Sequence, residues 1–243
     1  MDTTRLYKFA LVFISSAYVS FLYAQQSGNV TYTVHQTSEA NQFKAYDKFK
    51  NLHDQVVPLA EQLKFKLEFN ESESIFEMTP YMNSEHDNMI VFAAKMMVNG
   101  NNKYYVSKKD NYLLTQKIVA DEWYLIEDKL DSIKWDITEE KKFIGKYECI
   151  KAIGYRTYVA RDFETKKKIK YAWYCPDLPS SYGPFEAVGL PGLVLEFEVG
   201  QLRFVASKVE LQDEKITIHK LVTGQRVTHK ELSDYYIRKV TNN

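Results

Sequence analysis

The chain has 243 residues, with 32 basic and 32 acidic side chains, so its formal net charge is zero. That balance, with no long basic run, gives no electrostatic case for nucleic-acid binding. Its 18 tyrosines and 14 phenylalanines fall largely in alternating patterns, which argues for strands rather than disorder.

At the N-terminus, Arg5 and Lys8 precede a mostly apolar run over residues 9–23, and Ala24 is followed by polar sequence. This is the layout of a secretory signal peptide over residues 1–24, and the run is short for a transmembrane span. The competing reading is an N-terminal membrane anchor. No cysteine follows the apolar run, so a lipoprotein is not indicated. Residues 25–243 are then expected as a single β-rich domain. It would be exported from the cytoplasm.

Residues 30–37 alternate and predict a first strand. Residues 39–62 predict helical or irregular structure, with Phe43, Tyr46, Phe49 and Leu52 three apart and an interruption at Pro58. Residues 63–69 alternate cleanly, and residues 73–78 return after a turn at Asn70-Glu71-Ser72. That turn matches the N-glycan acceptor pattern, here no more than a surface-turn signature. Further strands are predicted over 103–106, 111–116, 122–127 and 132–137, and residues 138–145 read as a charged connection. Residues 149–158 and 168–175 flank a charged tip. Residues 194–199 and 202–211 are joined by Gly200-Gln201, which suits a type II′ hairpin. Residues 228–240 predict a C-terminal helix, opened by Thr228 with Glu231 three residues on, a capping box. Roughly nine or ten strands with few helices favour a mainly β fold, a strongly curved antiparallel sheet or partial barrel with a few peripheral helices.

Residues 175–195, between two predicted strands, form a long connection that holds four of the six prolines. Long connections in compact domains tend to carry function. Leu190-Pro191-Gly192-Leu193 fits a type II turn, with Gly192 supplying the positive φ. Gly189 to Leu193 is therefore expected as a structural plug. Tyr182 and Phe185 are expected to be exposed and, with Trp173, to meet a ligand or partner.

Cys149 and Cys175 are the only cysteines. A hairpin centred on Asp162 sets them directly opposite one another, and the same register pairs Lys151 with Trp173, Ile153 with Tyr171 and Tyr155 with Ile169. In an exported protein that pairing predicts a structural disulfide, contributing roughly 3–4 kcal/mol. Two buried free thiols are the competing reading. Met78, Met82, His86 and Met89 form a thioether and imidazole cluster of the kind soft Cu(I) favours, although methionine also fills adaptable apolar surface. No cofactor is otherwise indicated. The five histidines are scattered, and the motifs of metalloproteases, serine hydrolases and nucleotide binders are absent.

Gly189-Leu190-Pro191-Gly192-Leu193 resembles the motif that names the GLPGLI family of secreted Bacteroidetes proteins. Trp135, Thr138, Glu140, Lys142, Gly145, Tyr147, Cys149, Lys151 and Ala152 are similar to a further segment of that family. Ala172-Trp173-Tyr174 with Pro176, Leu178, Pro179, Gly183 and Pro184 is similar to another. Val194 and Cys175 depart from the pattern, where isoleucine and threonine are usual. The resemblance implies an envelope protein of undetermined activity, exported across the inner membrane to the periplasm or the outer membrane and sometimes associated with outer-membrane transport, and it supplies no catalytic residues. The leading expectation is a non-enzymatic binding or partner-docking protein that holds an apolar or peptidic ligand on the concave face of its sheet. The alternatives are a hydrolase with an unrecognised site and a copper-handling protein.

Overall fold

The computed structural model describes residues 27–37, 47–82, 88–159 and 165–241. The expected signal peptide and His86 lie outside them. In chain order the elements are β1 (Ser27–Gln36), α1 (Asp47–Gln62), β2 (Lys64–Phe69), β3 (Glu73–Met78), α2 (Asn88–Met97), β4 (Lys103–Ser107), β5 (Tyr112–Val119), β6 (Glu122–Lys129), β7 (Lys134–Ile144), β8 (Tyr147–Val159), β9 (Thr165–Cys175), β10 (Leu193–Val199), β11 (Leu202–Gln212), β12 (Gln225–Thr228) and α3 (His229–Thr241). The protein is mainly β, as the sequence predicts. Its strands form one 12-stranded sheet in the order β12-β6-β5-β4-β3-β2-β1-β11-β10-β9-β8-β7. The pairings are antiparallel except that of β12 with β6, which is parallel.

The sheet is curled but not closed. Arg156 on β8 donates to Asp128 on β6 at 2.7 Å, although β5, β4, β3, β2, β1, β11, β10 and β9 lie between those strands. At about 4.8 Å per strand, a flat sheet would hold them roughly 43 Å apart. Much of the interior of the curl is apolar. It gathers Val30, Tyr32, Phe65, Leu67, Phe76, Tyr104, Phe197 and Phe204 from alternating positions on its strands. Tyr32 hydroxyl donates to Val194 carbonyl oxygen at 2.6 Å, which satisfies the phenol inside.

The helices cover what the strands leave open. On α1, Val56, Leu59 and Ala60 bury one stripe against this core. Pro58 lies within α1 on its exposed side, and the helix runs past it rather than stopping there. The alternation of β5 and β6 puts Ile126 and Tyr124 on the inner face, where Leu232 of α3 packs against them. On the outer face, Tyr105, Tyr112, Leu114 and Leu125 are covered by Ile218 and Leu221 from the segment that leads to β12. The capping box at α3 is formed: Glu231 carboxylate accepts from Thr228 N–H at 2.7 Å, and Thr228 hydroxyl accepts from Glu231 N–H at 3.2 Å.

Three local readings of the sequence are corrected. Residues 138–144 belong to β7, which continues through an irregularity in its pairing with β8 rather than ending in a connection. Asn70 is buried. Its side-chain oxygen accepts from Ser72 and Glu73 N–H, and its amide donates to Ile216 carbonyl oxygen. Its amide is spent on the turn and cannot present an acceptor for glycosylation. Residues 88–97 form a helix where alternation and helical spacing in the sequence predict no element.

Candidate functional site

The connection between β9 and β10 folds inward. Tyr182 is 1% and Phe185 3% exposed, so both belong to the core and not to a contact surface. This corrects the expectation of exposed aromatics. Phe185 lies 4.7 Å from Phe204, 5.0 Å from Phe76 and 5.0 Å from Tyr104, ring centre to ring centre. These rings come from β11, β3 and β4, so one loop residue ties together strands on different parts of the curl. Its φ of 57° is uncommon for a bulky side chain and is held by that packing. Leu193 N–H donates to Leu178 carbonyl oxygen at 3.0 Å, and Val194 N–H to Tyr182 carbonyl oxygen at 3.0 Å. Trp135 indole N–H reaches Val188 carbonyl oxygen at 3.0 Å.

Gly189 to Leu193 lies in this plug, but not as a type II turn. Gly189 carries the positive φ, 87°, whereas Gly192 does not have one. A Cβ at Gly192 would stand 2.2 Å from Cys175 carbonyl oxygen, and at Gly189 it would meet nothing within 4 Å. Gly192 is therefore required by a close backbone approach, and Gly189 by its conformation. Leu190 is buried in the core, and Pro191 is exposed. Trp173 lies on the face of β9 opposite Lys170 and Ala172. Lys142 Nζ stands 4.2 Å from the centre of its ring. The structure thus separates Trp173 from Tyr182 and Phe185.

Ile150 faces Tyr174 and Lys151 faces Trp173, the register expected from a tip at Asp162. One step beyond Ile150 and Tyr174, Cys149 stands opposite Cys175. Both are buried, and both are free thiols, so the expected disulfide is not formed in this structure. Burial pushes the Cys149 thiol up to about 12 and raises that of Cys175. The methionines do not share one environment. Met78 packs against the core, whereas Met82 and Met89 are exposed. Among the described residues no group of three or more His, Cys, Asp or Glu side chains could hold a metal.

Curling the sheet leaves a cavity of about 1320 Å³ where β4 to β6 come to face β8 and β9, with α3 beside it. Tyr104, Thr115, Lys117 and Ile126 line it from one side, and Arg156, Lys168 and Lys170 from the other. Phe185 and Glu186 of the plug line it too, as do His229, Ser233 and Asp234 of α3. Lys170 is 5% exposed and is pressed against Glu186. Burial, then the neighbouring Lys168 and Arg156, lower the Lys170 ammonium to about 7, against the pull of Asp128. Asp128 also accepts from His229 Nε2 at 2.9 Å. His229 and Arg156 together hold its carboxyl below the usual carboxylate range, although burial alone would raise it.

A family described as a protein of unknown function (Porph_ging) matches residues 161–196. That segment contains Lys168, Lys170, Phe185 and Glu186 of the cavity wall, together with Gly189 to Leu193. No curated protein matches. Two crystal structures of PNGF-II, in the P21 and C2 space groups, are similar to this chain at 15% sequence identity, with TM-scores of 0.49 and 0.48. Each likeness covers 86% of this chain and 32% of that one, so the chain spans about a third of the length of those structures.

Proposed function

We propose that this chain is an exported, non-enzymatic binding protein of the cell envelope that holds a polar ligand in the cavity between β4–β6 and β8–β9. The observation that supports this is the filling of the interior. The apolar concave surface is occupied by the chain's own Phe185, and the 1320 Å³ cavity beside it combines apolar wall with polar side chains, eleven of its eighteen lining residues bearing a charge or a hydroxyl. A cavity whose walls join apolar surface to a few convergent polar groups is the usual form of a small-molecule site. An apolar ligand on the concave face would have to displace the plug. An outer-membrane transport component is the kind of partner that would deliver or receive the ligand.

The test is whether a ligand occupies that space. Protein purified from its own envelope fraction should release a small molecule on denaturation, and Thr115→Trp should abolish the co-purification by filling the cavity. Absence of any retained molecule, together with no thermal shift across acidic, basic and neutral metabolites, would refute the reading. Export is checked by N-terminal sequencing, with residue 25 expected first. In an oxidising compartment Cys149 and Cys175 would join by loss of two hydrogens to a thiol–disulfide oxidant. This would happen before burial makes them poor nucleophiles. The intact mass of envelope-derived protein should then be lower by two hydrogens than that of the reduced chain, and an unchanged mass would refute the bond.

A hydrolase reading draws on the Asp128–His229 pair, with Ser233 one helical turn further along α3. Among the described residues no hydrogen bond joins Ser233 to His229. The contact that would activate a serine nucleophile is therefore missing.

A further inference from the structure

The geometry points to a polyanion as the ligand: a small molecule bearing two or more phosphate or carboxylate groups, seated between Lys117 on β5 and Lys168 and Lys170 on β9. This rests on the binding reading above and narrows its ligand. Lys117, Arg156, Lys167, Lys168, Lys170 and Lys230 line the cavity, against Glu186 and Asp234. The acidic partners are partly spent already. Glu186 is taken by Lys170, and Arg156 is held by Asp128. Lys117, Lys168 and Lys230 have no carboxylate within ion-pair distance among the described residues.

Positive charge that converges in a partly desolvated cavity is unfavourable unless something neutralises it. Two side chains register the cost. Burial depresses the ammonium of Lys117, and Lys168 and Arg156 add to the effect of burial on Lys170. A bound anion removes that repulsion, and low-dielectric walls strengthen its attraction. Lysines act as compact point charges with rotatable donors, so they accept phosphate and carboxylate alike. Lys117 lies on the β5 wall and Lys168 on the β9 wall, so a ligand with two or more anionic groups engages cations on both walls at once.

The test is calorimetric titration with tripolyphosphate and with citrate, with acetate as the monoanion control. We expect one of the two polyanions to bind with a Kd in the micromolar range, acetate at least about tenfold more weakly, and affinity that falls with added salt. Stronger tripolyphosphate binding would assign a phosphate ligand, and stronger citrate binding a carboxylate one. Lys117→Met should weaken binding about tenfold or more without lowering the melting temperature, because Lys117 is half-buried and makes no ion pair among the described residues. Lys168→Met, on the opposite wall and exposed, provides a second variant should the first fold poorly. Lys208→Met, on β11 and paired with Glu210, should have no effect. The proposal is overturned if neither polyanion binds more tightly than about 1 mM, or if Lys208→Met weakens binding as much as Lys117→Met does. A neutral saccharide that binds and is excluded by Thr115→Trp, when neither polyanion binds, would overturn the polyanion and leave the binding reading intact.

Discussion

Gly192 and Gly189 are three residues apart in one loop, and the structure assigns them opposite reasons for being glycine. At Gly192 an added Cβ would sit 2.2 Å from the carbonyl oxygen of Cys175, 2.6 Å from its carbonyl carbon and 2.9 Å from the ring of Tyr174. The obstacle is backbone on β9, not the end of a flexible side chain. Leu193 pairs with Cys175 in the sheet, so the two strands cannot part there without losing the first rung of β9 with β10. Overpacking a core costs about 1–3 kcal/mol when side chains can shift. With backbone as the obstacle, Gly192→Ala is expected to cost about 3 kcal/mol or more. At Gly189 a Cβ meets nothing within 4 Å, but φ is 87°. Gly189→Ala should therefore cost only the conformational penalty of a left-handed residue, about 1–2 kcal/mol. Gly189→Asn should cost less than Gly189→Ala, because asparagine tolerates positive φ. The assay is urea denaturation of the oxidised and the reduced protein, read by tryptophan fluorescence, with midpoints compared at constant slope. If Gly189→Ala proves the more damaging change, or Gly192→Ala costs under about 0.5 kcal/mol, the close-approach argument fails.

Phe185→Ala should destabilise by about 3–5 kcal/mol and open an apolar extension of the cavity, detected as new binding of a hydrophobic dye; unchanged stability would refute the plug. Ala120 and Asp121, with φ of 49° and 64°, form the two-residue turn between β5 and β6, where both positions need positive φ. Replacing them by Asn-Gly should raise stability by about 1 kcal/mol in thermal unfolding, and a loss would refute the turn assignment. Asp128 and Arg156 are 12% and 20% exposed, between a surface pair and a buried one. Asp128→Asn should cost about 1–3 kcal/mol and speed amide exchange in β6 and α3; unaltered exchange would mean that the pair does not hold the seam. Lys170 titrates near 7 when folded, beside Glu186, Lys168, Arg156, Asp128 and the Phe197 ring, and near 10.5 when unfolded. The unfolded state binds more protons between those values, so below about pH 7 the cost of burying the charge is fully present. The stability of the wild type relative to Lys170→Met should rise with pH across that window. A flat difference in denaturation midpoints would refute the depressed pKa.

Much of the sheet was legible because strands advertise themselves by alternation. Residues 63–69 and 73–78 were placed almost to the residue, and the β8–β9 register followed from the distance of each cysteine to Asp162. Gly200, with its positive φ of 61°, sits in the predicted hairpin turn. What stayed hidden was whatever depends on the curl. Tyr182 and Phe185 lie among prolines and glycines, a composition that signals a surface loop, and nothing local says that this loop turns inward. On α2, Ala94 faces the core while Met89, Phe92 and Met96 face out, so apolar residues on both sides blurred the helical period. The Gly192 position was recognised as special, but from a turn type and not from the nearness of Cys175, which is a tertiary fact. The cavity was invisible for the same reason. Lys117 and Lys170 are more than fifty positions apart, on strands that face one another across the cavity only because the sheet rolls.

That roll connects the plug to the cavity. A sheet of this many strands does not stay flat, and once it curls its interior must be filled. The β9–β10 loop fills the part nearest β2, β3, β10 and β11, where Phe65, Phe76, Phe197 and Phe204 point inward and an aromatic wedge packs well. It stops short of the space between β5 and β9, where the inward positions include Lys117 and Lys170. Apolar side chains could occupy those positions on the same strands and would close the core more cheaply than buried ammonium groups. Beside the cavity, local rules of stability are broken by several cations from separate strands. Such departures mark functional sites more often than structural ones. The plug and the cationic cavity are thus two ends of one interior. Phe185 and Glu186, adjacent in sequence, form the boundary: the ring faces the apolar end, and the carboxylate faces the lysines.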